Sequence, residues 1–170
     1  MELQNALASY DGSDPSGLQN ARAEHCGSPG YLADLVAACS DRRPLVVEAA
    51  TWMLKAEIDA GATLPRSEAA ALSDRLDQLH TWASALHVLQ ALRGFDLDAV
   101  LAERYLRWAQ TYASHPRPFL RAWSLDAQVV LGAKMPGREA DVDAILRRSE
   151  TDPAASVRAR GRKLRQSLGF

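Results

Sequence analysis

The chain has 170 residues, of which 47% are hydrophobic and 24% charged, with a formal net charge of −1. That balance suits one soluble domain with a continuous core and excludes wholesale disorder. No run approaches the roughly 18–20 uninterrupted apolar residues of a membrane span.

Residues 1–28 begin "MELQNALASYDGSD", without the basic flank and apolar core of a signal peptide, so a cytoplasmic location is expected. The same reasoning predicts that Cys26 and Cys39 are free thiols. One or two short helices are predicted in this segment, as a cap.

Residues 29–60 form the first predicted helix pair. Tyr31 to Cys39 is a short amphipathic stretch, and beyond Pro44 the stripe Val47, Thr51, Leu54, Ile58 recurs at helical steps. Residues 65–94 form the second pair. Ser67 is the expected N-cap of its first helix, and Leu86, Leu89, Ala85 and Leu92 give its second helix an apolar face. Residues 96–132 form the third pair, opened by Asp96 or Asp98. Its second helix carries Leu120, Ser124, Ala127 and Leu131. Residues 138–168 form the fourth pair, with the stripe Val157, Gly161, Leu164, Leu168 in its last helix. Asp152-Pro153 reads there as an N-cap followed by proline in the first turn.

The pairs are copies of one pattern. Leu120-Arg121-Ala122 returns 37 residues later as Val157-Arg158-Ala159, and Pro116 returns as Pro153. Corresponding stripes step back by 37 to Ala83 and by a further 36 to Val47. A single pair of helices cannot bury its apolar faces, whereas stacked neighbours form one core. The period and the apolar-Arg-Ala motif after a Pro or Asp turn resemble the HEAT and HEAT-like repeat family. The resemblance covers about residues 29–168. It implies an all-α fold, an α-α superhelix of about four antiparallel helix pairs in one domain, and a role in scaffolding and protein binding.

Charge is unevenly distributed. Residues 1–100 hold seven basic and fourteen acidic side chains, and residues 101–170 hold thirteen and seven. The last helix concentrates Arg158, Arg160, Arg162, Lys163 and Arg165. This basic patch reads either as a solubilising cap on the final repeat or as a surface for an acidic partner, including the acidic half of another copy.

Catalytic and metal-binding patterns are missing from the sequence. There is no His-x-x-x-His, no Cys-x-x-Cys, no Gly-x-Ser-x-Gly elbow and no phosphate loop. His87 falls in the core register and reads as a partly buried histidine. Asp96/Asp98 and Asp141/Asp143 sit at helix starts, where negative charge meets the helix dipole. No catalytic residue, metal or cofactor is expected.

Trp52, Trp82, Trp108 and Trp123 read as gap fillers between repeats or as the lining of a groove. Arg117, Phe119, Arg121, Trp123 and Asp126 are the candidate protein-binding residues, since aromatic and arginine side chains make interface hot spots. Arg121 and Asp126 also fit a purely structural role, bonding the backbone or a charge in a neighbouring repeat.

A second resemblance is to HEAT-like DNA glycosylases for alkylated bases, which present tryptophans and an aspartate on the concave face above a basic surface. This chain offers Trp123 and Asp126 one helical turn apart, together with the basic last helix. The net −7 of residues 1–100 departs from its basic groove, and an acidic wall repels phosphates. The sequence therefore favours a non-catalytic, cytoplasmic scaffold that binds a protein or peptide through its concave face. Nucleic-acid binding is the alternative.

Overall fold

A computed structural model describes residues 2–169. Those residues hold ten α-helices: α1 (Leu3–Ser9), α2 (Ser16–His25), α3 (Tyr31–Ala38), α4 (Pro44–Asp59), α5 (Arg66–Ser73), α6 (Trp82–Ala91), α7 (Ala99–Gln110), α8 (Pro118–Ala133), α9 (Glu139–Ser149) and α10 (Ala155–Leu168). Among the described residues there is no β-strand, only an isolated bridge between Leu64 and Phe95. The fold is all-helical, as expected. The chain forms two compact units, one ending at Asp96 and the other beginning at Leu97.

In the first unit α3 packs on α4 and α5, and α4 packs on α6. First helix thus meets first helix, and second meets second, across consecutive pairs. Leu35, Met53, Leu54, Leu72 and Leu89 are all but sealed from solvent, each stabilising by roughly 1.5–3 kcal/mol before entropy is charged against it. The Leu64–Phe95 bridge joins the segment before α5 to the turn after α6, with Leu64 N–H donating to Gly94 at 2.9 Å and Asp96 N–H to Leu64 at 3.0 Å. A Cβ at Gly94 would lie 2.4 Å from Ile58 Cγ2, so the close approach of this turn to α4 requires glycine.

In the second unit α8 is central, packing on α7, α9 and α10. Its core joins Leu125 and Val129 to Val142, Leu146, Val157 and Leu164. The stripes read from the sequence point inward: Val47, Thr51, Leu54, Leu120, Ser124, Ala127, Leu131, Val157, Gly161 and Leu164 are all buried. Leu168, at the chain end, remains 39% exposed.

Several helix starts differ from expectation for reasons of turn chemistry. Ser67 lies inside α5, whose N-cap is Pro65. α10 begins at Ala155 rather than at Pro153. Asp152 still satisfies an amide near that start, accepting from Ala154 N–H at 2.8 Å. Asp98 caps α7 through Leu101 N–H at 2.9 Å, as expected. Thr81 caps α6 through Ser84 N–H at 3.0 Å, a cap the sequence reading missed.

Candidate functional site

The two motif arginines are bonded in the same way. Arg121 Nη1 donates to the carbonyls of His115 (2.9 Å) and Pro116 (3.3 Å). Arg158 Nη1 donates to those of Asp152 (2.6 Å) and Pro153 (2.9 Å). Each arginine therefore reaches back five and six residues to fasten the turn that precedes its own helix. This is why the motif places proline and arginine at a fixed separation.

Arg121 does more. Its Nε and Nη2 grip Asp152 at 3.0 and 2.9 Å, a bidentate pair that joins α8 to the turn before α10. The pair holds the Asp152 carboxyl below the usual carboxylate range and raises the Arg121 guanidinium.

Asp126 is buried, only 1% exposed. Arg160 of α10 reaches it at 3.3 Å and lays its guanidinium 3.9 Å from the centroid of the Trp123 ring. Trp123, Asp126 and Arg160 thus form one cation–π and ion-pair cluster between α8 and α10. The structure brings three of the five expected groove residues, Arg121, Trp123 and Asp126, into contacts between the last two helix pairs. Arg117 and Phe119 stay on the surface, Phe119 being 63% exposed.

The basic last helix divides in the same way. Arg158 and Arg160 make the bonds just described, and Arg165 pairs with Asp143 (3.4 Å) and Glu150 (3.1 Å). Arg162 and Lys163 are exposed, without an ion pair among the described residues.

In the first unit Arg22 of α2 and Tyr31 of α3 converge on the buried Glu57 of α4, at 2.8 and 3.3 Å. Burial and the nearby carboxylate push the Tyr31 phenol up. His87 bonds Thr51 across the first two pairs at 3.2 Å. Burial, helped by Lys55, lowers its pKa to about 4. Both cysteines are free, Cys26 exposed and Cys39 buried. Burial pushes the Cys39 thiol up to about 12. No group of three or more His, Cys, Asp or Glu among the described residues could hold a metal ion.

A surface feature escaped the sequence reading. Leu45 (41%), Trp82 (46%) and Phe119 (63%) are large exposed hydrophobic residues, and each opens the second helix of its pair. They follow one another at steps of 37, and two residues before each stands an exposed Arg43, His80 or Arg117. The signal was available: extending the 37-residue register to these positions finds all three.

The second unit also holds an open cleft beside α8, in two adjoining lobes of about 320 and 740 Å³. Ala113, Ser114, Gln128, Ile145 and Arg148 line both. Neither a protein-family model, nor a curated protein, nor a solved structure matches this chain.

Proposed function

We propose that the helix pairs stack as a HEAT-like α-α superhelix, and that the chain is a non-catalytic scaffold binding a protein or peptide partner. The observation that carries this reading is the exposed apolar residue at one repeat position, Leu45, Trp82 and Phe119, each preceded by a basic side chain. A large apolar side chain left exposed three times at one repeat position marks a candidate partner-binding surface, and aromatic residues are enriched among interface anchors. Stacking is supported within each unit by the contacts of α4 with α6 and of α8 with α10. The ionisable groups that meet between helices are committed to one another, as Arg22 is to Glu57 and Arg121 to Asp152. Arg117 and Phe119 remain candidate contacts, while Arg121, Trp123 and Asp126 bond to Asp152 and Arg160.

The test is a co-purification with wild-type protein and with Trp82→Ser and Phe119→Ser variants. A discrete partner held by wild type and lost by the variants supports the reading. Turnover of a substrate with no partner recovered would remove it.

A further inference from the structure

Unlike α3 and α5 in the first unit, α7 and α9 are not a principal packing pair, so the side of α8 between them is left open. On that side sits Gln128, only 3% exposed, a buried polar side chain of α8 like Ser124 and Asp126. Its orientation follows from a chain of bonds. Ser124 spends its hydroxyl proton on the Ala109 carbonyl at 2.7 Å, near the end of α7, where Tyr112 N–H also donates to that carbonyl at 3.1 Å. Ser124 Oγ can then only accept, so Gln128 must donate to it through Nε2, at 2.9 Å. Gln128 Oε1 is left facing the cleft. It takes no bond from the described residues, yet no buried side-chain oxygen or nitrogen there is unsatisfied. The oxygen is therefore open to whatever enters.

The charges around the cleft are mostly settled. Arg121 pairs with Asp152, and Arg138 pairs with Glu103 and with Asp141. Arg148 has no ion-pair partner among the described residues and stands on the rim of both lobes. Leu125, Val142, Ile145 and Val157 supply an apolar floor. One hydrogen-bond acceptor at depth, one uncommitted cation at the rim and an aliphatic floor define the complement: a backbone N–H, a carboxylate and an aliphatic side chain.

We propose that this cleft binds a linear peptide segment of a partner protein in which acidic and aliphatic side chains alternate. The carboxylate meets Arg148, the main-chain N–H meets Gln128 Oε1, and the aliphatic side chain covers Val142 and Ile145. The inference rests on the reading of the chain as a protein-binding scaffold, and assigns that scaffold a second contact apart from its exposed apolar residues.

The experiment titrates ¹⁵N-labelled full-length protein with acetyl-Glu-Leu-Asp-Leu-Glu-Leu-amide, and with the same peptide carrying lysine at the acidic positions. The Gln128 side-chain amide resonance, identified by its loss in Gln128→Met, should shift with the acidic peptide only. Arg148→Glu, at an exposed position, should fold normally and weaken binding at least tenfold, about 1.4 kcal/mol. Gln128→Met should weaken it by a comparable factor. No shift at millimolar peptide, equal binding of the lysine peptide, or affinity unchanged in Arg148→Glu would each overturn the proposal. If a partner is still held through Trp82 and Phe119 in that case, this inference alone fails. If neither contact is found, the scaffold reading fails with it.

Discussion

Arg121 and Asp152 are joined through both arms of the guanidinium, at 3.0 and 2.9 Å, across 31 residues of chain. The third nitrogen of the same group holds the turn before α8, at His115 and Pro116. One side chain thus fixes the hairpin of its own pair and its attachment to the next. Lysine offers a point charge with no fork. Arg121→Lys should cost about 1–3 kcal/mol in urea unfolding, with no compensation from the retained charge. Because the pair lowers the Asp152 carboxyl, its stabilisation should be present at neutral pH and lost as the solution is acidified through the carboxylate range.

Asp126 and Arg160 lead to a second expectation. Asp126→Asn removes a buried charge from beside a half-buried arginine, and should destabilise the protein by about 1–3 kcal/mol. Trp123 fluorescence should report the change, since Arg160 lies on its ring. The base-excision alternative predicts instead that the variant stays as stable and loses release of an alkylated base. Differential scanning fluorimetry beside a base-release assay separates the two.

His87 gives the protein a pH-dependent term of defined sign. Its folded value of about 4 lies below the ordinary 6.5, mainly through burial, with Lys55 opposing a second positive charge and the Glu48 carbonyl favouring it slightly. Below 6.5 the unfolded chain takes up the proton that the fold resists. Stability from this source is therefore complete above about pH 6.5 and declines as pH falls toward 4, by about 2 kcal/mol after allowance for partial exposure. In His87→Leu the decline between pH 6.5 and 4 should be shallower by that amount. Thr51 keeps its bonds to the Val47 and Glu48 carbonyls in the variant.

Gly161 is set by packing, since it lies within α10 in ordinary helical conformation. A Cβ there would meet Ser149 Oγ at 2.0 Å. Gly161→Ala gains about 1 kcal/mol of helix propensity but overfills the contact, typically at about 1–3 kcal/mol. Net destabilisation is expected, and Ser149→Ala in the same chain should recover part of it. Additivity of the two substitutions would show that α9 and α10 do not meet there.

What the sequence made legible was periodic. Stripes of Val, Leu and Ala at steps of three and four set the helices, and the 37-residue recurrence located α4, α6, α8 and α10, each of which lies, to within a residue, inside the span expected of it. Arg121 was readable as a repeat residue, because a motif position recurs only where its bonds recur. The Asp126–Arg160 contact was hidden, since it spans 34 residues and shares no motif. Gln128 was hidden as well: a glutamine in an amphipathic helix looks solvent-facing until Ser124 fixes its direction. Leu45, Trp82 and Phe119 share the 37-residue register, but apolar periodicity alone does not separate an exposed recurrence from a buried one. Burial repeats with the fold, and so does exposure.

A photoactivatable amino acid placed at position 82 or 119, with the exposed Arg107 of α7 as control position, tests the scaffold account most directly. The account predicts one discrete adduct from cells at 82 and at 119, absent at 107 and diminished by unlabelled wild-type protein in competition. Adducts of equal yield at all three positions, or none at 82 and 119, would contradict it.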